Sequence, residues 1–138
     1  NQNFAAIPQF WRKCRSDGTM NEIRKAAGLA EIEPLHAAMY NCTDISHSYL
    51  IGHFMPPAGV PNQFLSLTVP QSTWAIFSTE PLNMEEAAQQ ASIIWKRIFT
   101  EWFSTSEYEL ANAPELEFHN RISENRYITE IWIPVMKR

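Results

Sequence analysis

Shifted by 78 residues, the chain lies over itself. Tyr40 then falls on Phe118, Tyr49 on Tyr127, Leu50 on Ile128, Phe54 on Trp132, Met55 on Ile133 and Pro56 on Pro134. Each copy reads as a hairpin, Ala37 to Cys42 with Ser48 to Met55 and Glu115 to Ile122 with Tyr127 to Val135, and each follows helical sequence. A helix followed by a hairpin, used twice, differs from alternating βαβ units. It predicts an α+β fold with an antiparallel sheet and helices on one face. The 138 residues, 45% of them apolar, suffice for one domain over residues 1–138 with a single sizeable core.

The remaining elements follow from caps and periodicity. Ile7, Phe10, Trp11 and Cys14 fall at helical spacing, with Pro8 suited to a first turn. Thr19 and Glu22 have capping-box spacing and open a second short helix that Gly28 can close. Two strands are expected over Phe64 to Val69 and Thr73 to Ser78. Asn83 and Glu86 form the clearest capping box. Behind them Met84, Ala87, Ala88, Ala91, Ile94, Trp95, Ile98 and Trp102 mark one stripe of a helix of about five turns.

Charge and composition exclude several roles. Eleven basic against fifteen acidic residues give a net charge of -4, which argues against direct nucleic-acid binding through phosphate contacts. Charged residues at 19% and aromatics at 12% describe a chain that folds. No apolar run is long enough for a membrane helix, so no membrane partner is expected. Cys14 and Cys42 read as free thiols of a reduced, cytoplasmic protein. The first residue, Asn1, is not Met, which suggests a processed, trimmed or partial chain.

Side-chain alternation then selects candidate site residues. With the last hairpin turning through Ser123 to Arg126, Leu116, Phe118, Ile131 and Ile133 share a face that suits the long helix. The opposite face receives Glu117 against Trp132 and His119 against Glu130. The same counting in the first hairpin, turning through Ile45 to Ser48, puts Met39 opposite Phe54 on the equivalent face. Two such faces meeting across a pseudo-twofold would enclose a groove with aromatic and thioether walls and one carboxylate. That chemistry suits a lipophilic cation. The candidate ligand-binding residues are Glu117, Trp132, His119, Met39, Phe54 and Trp11.

Other chemistries find less support. His47 and His53, six extended residues apart, stand about 20 Å from each other and are not expected to share a metal. No nucleophile elbow, phosphate loop or dinucleotide fingerprint occurs among four glycines. No cofactor, no metal and no catalytic residue is assigned.

The runs Ala6-Ile7-Pro8-Gln9-Phe10-Trp11, Tyr49-Leu50-Ile51-Gly52, Trp74-Ala75-Ile76-Phe77, Glu101-Trp102-Phe103, Pro114-Glu115-Leu116-Glu117 and Ile131-Trp132-Ile133-Pro134 resemble, in order and spacing, the gyrase-inhibitor-like family. That family includes the effector-binding domains of AraC-type transcription regulators. The resemblance covers nearly the whole chain. It implies duplicated β-α-β-β units with a central ligand groove, and binding of hydrophobic, often cationic, small molecules around one glutamate, here Glu117. Two departures stand out: His119 replaces the tyrosine common two residues after that glutamate, and the family's opening strand has no counterpart before Asn3. The resulting expectation is an effector-sensing domain, with a DNA-binding domain attached elsewhere, or a stand-alone drug-binding protein, and a dimer is compatible with either. The alternatives are a hydrolase of small electrophiles using the central glutamate, and a gyrase-inhibitor-like protein-binding module.

Overall fold

A computed structural model describes residues 2–41 and 47–138. Two helices open it, α1 (Gln2–Ser16) and α2 (Thr19–Ala27), followed by strands β1 (His36–Tyr40), β2 (Ser48–Gly52) and β3 (Thr73–Ser78). Helix α3 (Met84–Arg97) runs on through a π-helical segment at Ile98–Trp102 into a short α4 (Phe103–Thr105). Strands β4 (Tyr108–Leu110), β5 (Glu115–Ser123) and β6 (Arg126–Lys137) complete the chain. The sheet is antiparallel in the order β2-β1-β5-β6-β3, and β4 pairs with the end of β6.

The expected duplication has a direct structural mark. Ala38 on β1 pairs with Leu116 on β5, the residue 78 positions on, so a pseudo-twofold axis passes through this central pair. Ala37 accordingly pairs with Glu117 and Met39 with Glu115. The likeness stops at the outer strands. Tyr49 pairs with Met39, but Tyr127 pairs with Arg121 rather than with Glu117, so β6 is displaced by four residues relative to β2. The turn expected at Ile45 to Ser48 lies mostly outside the described residues, while Ser48 already belongs to β2.

Caps explain the helix ends. Asn83 Oδ1 accepts from the Glu86 N–H at 2.9 Å, and Asn83 Nδ2 donates to Glu86 Oε1 at 2.6 Å, which fixes the start of α3. Gly28, at φ 73°, closes α2 in the left-handed conformation that glycine tolerates best. At the start of α2 the expected Thr19 cap is absent. Gly18 holds the cap position, and Asp17 accepts from both the N–H and the hydroxyl of Thr19. Pro8 lies inside α1 rather than in its first turn.

Three strand expectations change. Phe64 to Val69 forms no strand; it is irregular chain lying along a cavity on the sheet. In the first hairpin Met39 faces Tyr49, not Phe54, and β2 ends at Gly52, short of Met55. In the last hairpin the turn is the two residues Glu124 and Asn125, and Ile122 is an extra residue between the Arg121–Tyr127 and Ser123–Arg126 pairs. This bulge moves every pair beyond it by one. Leu116 therefore meets Trp132, and Glu117 meets Ile131.

The helices cover one face in two places. Ala91 and Ile98, from α3 and its π-helical continuation, pack with Ile131, Ile133 and Val135 of β6, while Trp95, Trp102 and Phe77 close that cluster. Cys14, Met20 and Leu35 form a second cluster, against Trp11, Ile23 and Ile51. Between the two clusters run β1 and β5, which carry Ala37, Met39, Glu117 and His119 toward the same face.

Candidate functional site

Glu117 lies on the helix-covered face, at the centre of the sheet and beside the pseudo-twofold axis. Its cross-strand neighbour on β1 is only an alanine, Ala37. The indole N–H of Trp95, from α3, donates to Glu117 Oε2 at 2.5 Å. The Nε2 of His119, two residues along β5, stands 3.0 Å from Oε1. Burial pushes this carboxyl up, but the hydrogen bond and charge of His119, with the Trp95 N–H, outweigh it and leave the group below its ordinary value. The carboxyl is therefore held ionised. The side chains of Glu117 and His119 keep 19% and 22% exposure, so solvent still reaches the pair.

The first repeat unit supplies the other wall. Trp11 of α1 meets the His119 ring edge-on at 5.8 Å and donates its Nε1–H to the Tyr49 hydroxyl at 2.8 Å. Burial first, then the nearby Glu117 carboxylate, raises the Tyr49 hydroxyl above its usual range, so it stays protonated. His119 is held on its other side as well: Nδ1 lies 3.0 Å from Thr129 Oγ1, and its backbone N–H donates to His36 Nδ1 at 3.0 Å. Two exposed rings flank the centre. Phe10 packs edge-on against Tyr49 at 6.3 Å, and Phe99 lies parallel to Trp95 at 6.4 Å.

Of the six residues expected to line the groove, Glu117, His119, Trp11 and Met39 share this face. Trp132 and Phe54 do not. Trp132 pairs with Leu116 and packs against Trp74 and Phe118 on the reverse face, where Phe54 stacks on Phe118. Nor does Glu117 lie on a sheet face turned away from the helices, as the hairpin counting suggested; it sits under the helices, against Trp95 of α3. Trp95 and Tyr49 were not selected. Trp95 sat on the apolar stripe and showed no sign of a polar partner, whereas Tyr49 could have been found, because it alternates in phase with Ile51 on a strand beside Met39. Among the described residues no group of three or more His, Cys, Asp or Glu side chains could hold a metal ion. No helix among them is long and apolar enough to cross a membrane.

Fold and family agree on the class: this is a gyrase-inhibitor-like α+β domain of the effector-binding type. The family model described as integron-associated effector binding protein, Cass2, matches residues 1–135, and the chain belongs to that family. Two solved structures share the fold. One is a Staphylococcus aureus MU50 protein provisionally described as a bacterial transcription regulation protein, at 20% identity and a TM-score of 0.66, covering 97% of this chain and 82% of that chain. The other is SAV2435 bound to tetraphenylphosphonium, at 19% identity and a TM-score of 0.67, covering 98% and 80%. No curated protein sequence matches the chain.

Proposed function

We propose that this domain binds a lipophilic cationic small molecule between α1 and α3, with Glu117 as its charge partner. One observation carries the reading. A mostly buried carboxylate is held ionised, its ion-pair partner among the described residues is the single imidazole of His119, and no Lys or Arg is paired to it. A cation about 4 Å away would gain roughly 4 kcal/mol at an effective dielectric near 20, before desolvation is subtracted. Trp11, Trp95 and the exposed Phe10 and Phe99 would each add about 0.5 to 2 kcal/mol as aromatic walls, and Met39 supplies an adaptable floor. The tetraphenylphosphonium held by SAV2435 is a ligand of this chemistry on the same fold.

Binding of this kind would serve an effector-sensing domain of a transcription regulator or a stand-alone drug-binding protein equally well. Hydrolysis of an electrophile fits less well, because a carboxylate held below its ordinary pKa is a weaker general base. The test is a paired titration of wild type and Glu117→Gln with tetraphenylphosphonium and with a neutral analogue, tetraphenylmethane made soluble by uncharged substituents. Cation affinity should fall by about 5 to 150-fold, while the neutral ligand changes little. Equal losses for both ligands would overturn the assignment of Glu117.

A further inference from the structure

A separate cavity of about 300 Å³ opens at the β2 edge of the sheet, between the strands and the irregular chain after β2, and reaches round that edge to Ile23, Ala26 and Ala27 of α2. Its floor is Leu50, Leu116 and Phe118, and its outer wall includes Phe54 and Leu65. No residue lining it carries a formal charge. Its principal polar groups are His36 and His53, whose rings stack at 4.6 Å. We propose that this cavity is a second binding site, for an uncharged aromatic molecule that carries a hydrogen-bond acceptor.

Size, surface and hydrogen bonding each point to that occupant. The volume is at the lower end of the range of small-molecule pockets, room for a two- or three-ring compound. Phe54 is 65% exposed yet held in place, stacked on Phe118 at 5.5 Å with 18° between the planes and edge-on to His36 at 5.8 Å. An ordered ring with an open face is an aromatic platform whose ordering cost has already been met within the fold. His36 Nδ1 accepts the His119 N–H, which fixes the tautomer and makes Nε2 the donor of a ring that lines the cavity.

Charge is disfavoured for a related reason. His36 is held down to about 4 by burial, then by His53 and by His119, and burial lowers His53 although Glu33 acts in the opposite direction. Both rings are neutral at physiological pH. A cation here would find no counter-charge in the lining, and an anion would find no cationic side chain. The two faces thus differ in kind, with a carboxylate under the helices and neutral donors among aromatic rings behind the sheet.

The experiment uses the neutral naphthyl ketone prodan, followed by its own fluorescence. Saturable binding with a blue shift is expected, unchanged by saturating tetraphenylphosphonium. Phe54→Ala and Leu65→Asp, both at exposed positions, should each weaken it by about tenfold. The parent dimethylaminonaphthalene, which lacks the ketone, should bind about fivefold more weakly. Competition with tetraphenylphosphonium, or undiminished binding to both variants, overturns the site, and equal binding of the two probes overturns the acceptor requirement. Because the two variants are read with prodan alone, failure of the cation site would leave this test intact.

Discussion

The indole N–H of Trp95 and the carboxylate of Glu117 are 2.5 Å apart, and this hydrogen bond joins the long helix of the second repeat unit to the strand beside the pseudo-twofold axis. Trp95 also closes the cluster around Ile131 and Ile133, so one side chain belongs to both core and site. Trp95→Phe keeps most of the ring and removes the donor. It should cost about 1 kcal/mol in stability and raise the Glu117 pKa. Trp95→Ala should cost about 2 to 4 kcal/mol. Thermal melting with a carboxyl-resolved NMR titration checks both, and a Glu117 pKa unmoved by Trp95→Phe would show that the indole N–H does not stabilise the charge.

His119 offsets most of what burial does to Glu117. Replacing the imidazole with Phe leaves burial dominant, so the Glu117 pKa should rise above its ordinary value, and cation affinity should begin to fall at a higher pH than in wild type as the solution is acidified. An NMR titration of Glu117 in His119→Phe, with cation binding followed across the same pH range, measures both. A carboxyl that stays low would mean that Trp95 suffices.

Trp132→Ala should leave cation affinity within about twofold of wild type, because Trp132 packs against Trp74 and Phe118 behind the sheet. It should still cost about 1 to 2 kcal/mol from the lost aromatic contacts. A tenfold loss of cation affinity would mean that the two faces are energetically coupled.

Acid stability should depend on His36. Its folded pKa, about 4, lies below the unfolded value near 6.5, so between those values the unfolded chain holds a proton that the folded protein does not. Stability therefore falls as pH drops from 6.5 to 4, by roughly 1 to 2 kcal/mol once solvent screening is allowed for. His53 shifts in the same direction, while Glu117, whose pKa is lowered, withdraws its contribution only as pH falls below the ordinary carboxylate value and through its folded one. His36→Gln, which retains a side-chain acceptor for the His119 N–H, should flatten part of this slope in urea titrations at a series of pH values. An unchanged slope would show that His36 does not set it.

Local sequence determined the elements whose causes are local. The Asn83–Glu86 box starts α3, Gly28 ends α2, and Thr73–Ser78 is β3 as alternation and flanking turn residues implied. The spacing of Glu117 and His119 along one strand put them on a common face, and the 78-residue repeat implied a pseudo-twofold whose axis the pairing of β1 with β5 then placed. Tertiary structure decided which way that face looks. A strand alternates with period two, so the single extra residue Ile122 inverts the pairing of β5 with β6, and a first hairpin closed differently from the expected count does the same for Phe54. The partnership of Glu117 with Trp95 was equally out of reach. It spans 22 residues and depends on how α3 packs on the sheet, which no periodicity within either segment records.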